Sequence, residues 1–177
     1  MVERFVLDTS VIIEYIVLRS RYRAKVTELF NLASTNTVEL YITLVTISEV
    51  LYIASRIYQM AGVQDPNGEA TDFIEWVSKR TNIIMLNRKM ALRAGELKKR
   101  LRIAMPGCYV IAAAEATKAT PLFKAVEKEM KPVLNELRKL GVKFLREIKF
   151  QNFPLLLSFQ FLLGCYGRGD PCVRPKG

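Results

Sequence analysis

The sequence predicts an α/β domain: a three-layer fold with a short parallel sheet of four or five strands between helices. Three observations carry this. Short β-branched runs alternate with longer segments whose apolar residues recur at helical spacing, the pattern of parallel strands joined by helical crossovers. Each run stops at turn or cap residues, and no internal repeat breaks the order. The chain has 177 residues, enough for one domain around one core.

Taken in order, "RFVLDTS" (4–10) reads as a buried strand that runs into turn and cap residues. "SVIIEYIVLRS" (10–20) is expected to form the helix after it, and "RAKVTELFNLAS" (23–34) a second helix. "ELYITL" (39–44) is the next strand, followed by a long helix, "TISEVLYIASRIYQM" (46–60). "AGVQDPNGEA" (61–70) has the composition of a loop, after which Thr71 is expected to cap a helix over 71–80. "NIIMLN" (82–87) reads as a strand and "RKMALRAGELKKRL" (88–101) as an amphipathic helix with a basic face. "AMPGCYVIAAAEA" (104–116) should pack as an Ala-rich helix. Its start, Pro106-Gly107-Cys108, offers no side-chain oxygen for a cap. A strand at 120–124, a helix at 131–141 and a strand at 142–145 complete the pattern. This assigns residues 1–150 to one domain and leaves 151–177 as an atypical tail, first apolar and then Gly/Pro-rich, with neither period nor caps. A frameshift or read-through past a stop produces sequence of that kind.

Composition limits the chemistry. Lys and Arg outnumber Asp and Glu by 27 to 17, a net charge of +10. Only Arg168, Arg174, Lys176 and Asp170 of these charges lie in the tail, so the basic character belongs to the domain and favours a polyanionic partner. Histidine is absent, which excludes a Ser-His-Asp triad, a His general base and His-ligated zinc. Cys108, Cys165 and Cys172 are too few and too scattered for a four-cysteine zinc site or a disulfide framework. Hydrolytic chemistry must then rest on carboxylates, hydroxyls, Lys or Arg, or a metal held by oxygen. "MVERFVLD" lacks a signal-peptide pattern, and no apolar run reaches the ~18–20 residues that span a bilayer. The expected location is the cytoplasm, with no membrane partner.

Candidate site residues follow from position. Ligands of open α/β sheets bind beyond the carboxyl ends of the strands, and Asp8 ends the first strand, followed by Thr9 and Ser10. Taken alone, an Asp-Thr-Ser triplet is more often a helix cap. Glu49 lies close to the apolar stripe of its helix, where a carboxylate is costly unless paired or bound to a cation. Glu127 and Glu129 follow the strand at 120–124 and, alone, read as a charged turn. Arg88, Arg93, Lys98, Lys99 and Arg100 line the basic helix, either as a solvated face or as a grip on phosphates.

Together, "FVLDTSVII", "TISEVL" and "YVIAAAEA" followed by "ATPLF" resemble the PIN-domain nucleases, most nearly the VapC-type toxins of prokaryotic toxin–antitoxin pairs. The resemblance covers roughly residues 3–146. It implies a PIN-like fold, metal-dependent cleavage of RNA, an oxygen-bound Mg²⁺ or Mn²⁺, a cognate VapB-type antitoxin and a homodimer. It assigns the first acid to Asp8, with Thr9 or Ser10 orienting it, and the second to Glu49. A fourth falls on Glu127, or else Glu129. The third acid, at the start of the Ala-rich helix, falls on Gly107, so the resemblance implies a site short of one ligand and weakened in metal affinity and turnover. Three origins compete for Gly107: a naturally degenerate member, an engineered substitution, and a mutation that survived cloning because the active protein poisons its host. The tail favours the last two slightly. The rival reading is an inactive PIN-fold module that binds RNA or sequesters an antitoxin.

Overall fold

In the computed structural model, residues 2–148 are described; the tail 151–177 lies outside the described residues. Strands β1 (Glu3–Leu7), β2 (Val38–Thr43), β3 (Asn82–Ile84), β4 (Thr120–Phe123) and β5 (Lys143–Phe144) form one sheet. Their order is β3-β2-β1-β4-β5, and every neighbouring pair is parallel. The helices between them are α1 (Thr9–Ile12), α2 (Arg23–Ser34), α3 (Leu44–Met60), α4 (Pro66–Ser78), α5 (Arg88–Leu101), α6 (Met105–Thr117) and α7 (Leu134–Lys139). The chain winds outward from β1 to β3, then returns to place β4 on the other side of β1. The order therefore reverses at β1, and its carboxyl end is the crevice where such sheets place ligands.

Each face of the sheet has its own core, because successive strand side chains point to opposite sides. Phe5 and Leu7 of β1, with Leu40, Ile42 and Leu122, pack under Val26, Leu29, Phe30, Val50, Ala54, Tyr58 and Phe73 of α2, α3 and α4. Val6, Ile84, Phe123 and Phe144 pack on the other face against Leu97 and Leu101 of α5, the Ala-rich α6, and Leu137 of α7. The short edge strand β5 carries Phe144 into this second core. Polar groups on both faces are served: among the described residues, no buried side-chain nitrogen or oxygen lacks a partner.

The structure corrects four local expectations. The segment 10–20 is not one helix: α1 lasts a single turn, continues as a 3₁₀ turn at Ile13–Tyr15, and then leaves helical geometry. Val11 to Ile16 are all buried, so this β-branched run is wrapped on every side and has no solvent face to favour a long helix. Half of the expected loop 61–70 is helical. Asp65, not Thr71, caps α4 by accepting from the Gly68 N–H at 3.0 Å, with Pro66 in the first turn. Pro is well placed there, since its missing N–H would be unpaired anyway. The helix expected at 131–141 opens as a 3₁₀ segment, Lys128–Val133, with Pro132 inside it, and becomes α-helical at Leu134. Finally, α6 begins at Met105 with Ala104 as its N-cap. Gly107 is thus the third residue inside the helix and cannot be its cap.

Candidate active site

Asp8 continues the β1–β4 ladder, its N–H donating to the Leu122 carbonyl at 3.0 Å, and caps α1. Its Oδ2 accepts from the Ser10 N–H at 2.9 Å and the Ser10 hydroxyl at 2.5 Å. Thr9 donates its hydroxyl to Oε2 of Glu49 at 2.8 Å. Each carboxylate is thus aimed by a hydroxyl of the same Asp-Thr-Ser turn. Glu49 reaches the site because α3 follows β2 directly. Thr43 caps that helix through the Thr46 N–H at 3.1 Å, which fixes its rotation and brings Glu49 over the end of β1.

The two acids share a cavity of about 170 Å³ that is also lined by the acids Glu127 and Glu129 and by the apolar Ile53, Ile103, Phe123 and Met130. Burial raises the pKa of Asp8, the Ser10 hydrogen bonds partly offset this, and the charge of Glu49 raises it further. The Glu127 carboxyl is also raised, first by burial and then by the charges of Asp8 and Glu129, while Lys124 opposes the shift. Asp8 is therefore coupled to Glu49 on one side and to Glu127 on the other across this opening. Glu129 is differently committed: its Oε1 accepts from the Ala104 N–H at 2.5 Å, serving the N-cap of α6 from across the loop.

Gly107 lines the cavity. A Cβ there would lie 3.3 Å from Cε1 of Phe123 and 3.6 Å from Cδ1 of Ile103, so a side chain fits if the Phe123 ring yields a few tenths of an ångström. Among the described residues, no three Asp, Glu, Cys or His side chains stand together closely enough to enclose an ion. The donors present still suit a hard divalent cation. Mg²⁺ commonly uses one or two carboxylates and fills its remaining positions with water or phosphate oxygen, and the repulsion between Asp8 and Glu49 is what such a cation relieves.

The basic helix is more occupied than its sequence suggests. Arg93 forms a two-bonded pair with Glu115 at 2.7 and 2.8 Å and also meets Glu96, tying α5 to α6. Arg100 pairs with Glu136 at 3.2 Å, and Lys98 donates to the Ile103 carbonyl at 2.7 Å. Arg88 and Lys99 remain exposed. Sequence reasoning missed Glu14, which carries the signal that marked Glu49, an acid within an apolar run. It is buried, but it pairs with Lys124 at 3.1 Å and does not line the cavity.

No curated protein sequence matches the chain significantly. Its fold is similar to VapBC2 from Rickettsia felis bound to a DNA fragment from its promoter, at 20% identity and a TM-score of 0.54, over 73% of this chain and 92% of that one. A toxin–antitoxin complex from Klebsiella pneumoniae is similar at 18% identity and a TM-score of 0.55, over 81% of this chain and 98% of that one. DNA-bound VapBC from Salmonella typhimurium gives 16% identity and a TM-score of 0.55, over 81% and 97%. The PIN-domain family profile matches residues 5–130, a stretch that holds Asp8, Glu49, position 107, Glu127 and Glu129. With that match and a sheet that reverses at Asp8, the chain belongs to the PIN-domain family.

Proposed function

We propose that this chain is a VapC-type endoribonuclease whose Mg²⁺ or Mn²⁺ would be held by Asp8 and Glu49 together with water, with Glu127 on the same cavity as a further acid, and whose site is weakened by Gly107. One observation carries the reading: three carboxylates, from the end of β1, the second turn of α3 and the turn after β4, line one cavity, and the charge of Asp8 is set against those of both Glu49 and Glu127 by like-charge repulsion. When bound, the cation would supply a water-derived nucleophile and offset charge developing on the scissile phosphate. The residues of the chain hold the geometry. Ser10 and Thr9 fix Asp8 and Glu49, and Glu127 lines the same cavity. Glu129 is the lesser candidate because it already serves Ala104. Arg88 and Lys99, both exposed, are the basic side chains of α5 offered to RNA phosphates, while Lys98, Arg93 and Arg100 are engaged within the protein. The similarity to toxin–antitoxin complexes supports a VapB-type antitoxin as partner. A homodimer and a cytoplasmic location belong to the same proposal; no helix among the described residues is long and apolar enough to cross a membrane.

The test is Gly107→Asp. The new carboxylate enters the first turn of α6, where an acid gains roughly 0.3–1 kcal/mol from the helix dipole, but without metal it adds repulsion to Asp8 and Glu49. Its signature is linkage, since an ion bound only by the folded state stabilises it by mass action. We expect Gly107→Asp to enlarge the Mn²⁺-induced rise in Tm and to increase RNA cleavage, and Asp8→Ala in that background to abolish both. Should Gly107→Asp alter neither, the inactive module becomes the better reading. That alternative draws on one specific observation, the lack of any three-acid cluster among the described residues. It predicts RNA binding that survives chelator, or copurification with a small acidic partner without affinity for RNA.

A further inference from the structure

A chain of contacts runs from the far side of α1 to Asp8. Glu14, in the 3₁₀ turn after α1, is buried and accepts from the Ser20 hydroxyl. Its Oε1 lies 3.1 Å from Nζ of Lys124, the residue just beyond β4. The N–H of Lys124 donates to the Ser10 hydroxyl oxygen at 3.2 Å. That same hydroxyl donates to Asp8 at 2.5 Å. A serine hydroxyl has one proton and rotates freely unless its lone pairs are engaged. Once its oxygen accepts from residue 124, its proton is directed to the carboxylate.

We propose that Lys124 and Glu14 are positioning residues for Asp8. Their ion pair fastens the chain after β4 to the turn after Asp8 and so holds the Lys124 N–H where it orients the Ser10 hydroxyl. Lys124 also opposes the raised pKa of Glu127, so one ammonium stands between a buried structural carboxylate and the cavity. It is held on the Glu14 side, and among the described residues no Lys or Arg lines the cavity of Asp8 and Glu49. The role in metal binding rests on the nuclease reading; the orientation of Ser10 does not.

The experiment uses the full chain with Lys124→Met, Lys124→Arg, Glu14→Gln and the double variant Glu14→Leu/Lys124→Met. The last keeps the proposal testable if a lone buried Glu14 prevents folding, because replacing both partners of a buried pair by apolar groups is often tolerated. Arg138→Met, which breaks the exposed Arg138–Glu147 pair, is the control for general destabilisation. Two readouts are taken: hydrogen exchange of the residue-124 amide without metal, and the Kd for Mn²⁺ by calorimetry. Lys124→Met, Glu14→Gln and the double variant should each lose protection at residue 124 by about tenfold or more while the Asp8 amide, bonded to Leu122, keeps its own. Mn²⁺ affinity should fall by about tenfold, the scale of lost outer partners at metal sites. Lys124→Arg should restore both. Exchange at residue 124 that only follows the control overturns the proposal. If the parent binds no Mn²⁺, the nuclease reading fails, and the exchange data still decide whether Lys124 and Glu14 hold Ser10.

Discussion

At Asp8, burial and the charge of Glu49 oppose ionisation, while the Ser10 N–H and hydroxyl favour it, and the net pKa is raised above the ordinary 3.8. The folded chain thus holds this proton more tightly than the unfolded chain does. Stability from the neutral form is complete below pH 3.8 and is lost as pH rises through the folded value. In metal-free buffer at pH 7, Asp8→Asn should therefore melt above the parent, since Asn still caps α1 well. The difference should shrink as the pH is lowered towards 3.8, and Mn²⁺ should narrow it by stabilising the parent alone. Thermal melts across pH, with and without the ion, check all three signs. Asp8 and Glu49 were legible in the sequence because both are acids in apolar surroundings, one at a strand end with two hydroxyls behind it. Glu14 gave an equivalent signal with a different outcome, since its cation comes from Lys124, beyond a strand formed late in the chain. Position 107 was legible only through the resemblance. That it lies inside α6 and not at its cap depends on backbone geometry, and the Ala104 N–H, which an acid at the third helical position serves in a capping box, is already taken by Glu129.

Among the elements, α4 shows how a cap was misplaced. Gly, Pro, Asn and Asp together suggest a loop, yet Asp-Pro is also a helix start, and the buried Ala70, Phe73 and Val77 supply the apolar face that decides for the helix. Gly68 has a particular reason to be there. A Cβ would sit 2.3 Å from Oδ2 of Asp65, so a larger residue displaces the cap. Gly→Ala inside a helix ordinarily gains about 0.8–1.0 kcal/mol, and losing an Asp cap costs about 1 kcal/mol. Gly68→Ala should accordingly leave stability nearly unchanged, and Asp65→Ala should lower it by about 1 kcal/mol. In the Asp65→Ala background, Gly68→Ala should recover most of its ordinary helical gain. Urea denaturation of the four chains measures this coupling. Helices α2, α3 and α5 were read at their places because each buries one consistent face. The single-turn α1 was not, because its run of buried β-branched residues, enclosed on all sides, leaves no periodic trace, whereas the largely enclosed α6 was legible through its alanines.

For the whole molecule, the sheet separates two cores, and the described residues close both, with Phe144, Leu145 and Ile148 buried at the end. A chain ending at Phe150 is therefore expected to unfold cooperatively, with a Tm within a few degrees of the full-length protein. A broadened or lost transition on truncation would mean that 151–177 packs into the domain. The strand order could be expected only as far as alternating strands and helices imply parallel neighbours. That β1 lies at the centre follows from which apolar faces meet, a long-range matter that local patterning does not encode. The central place of β1 has a consequence in time. Its second neighbour, β4, is separated from it by most of the chain, and Asp8 and Glu127 are joined only through that pairing. At the ~5–20 residues per second of protein synthesis, the ribosome needs on the order of 6–24 s to pass from the first of these acids to the last. Throughout that interval the nascent chain lacks Glu127, and the cavity that Asp8 and Glu49 line is incomplete. On the proposed reading as a nuclease, the chain gains its activity only after residue 127 has left the ribosome and β4 has paired with β1.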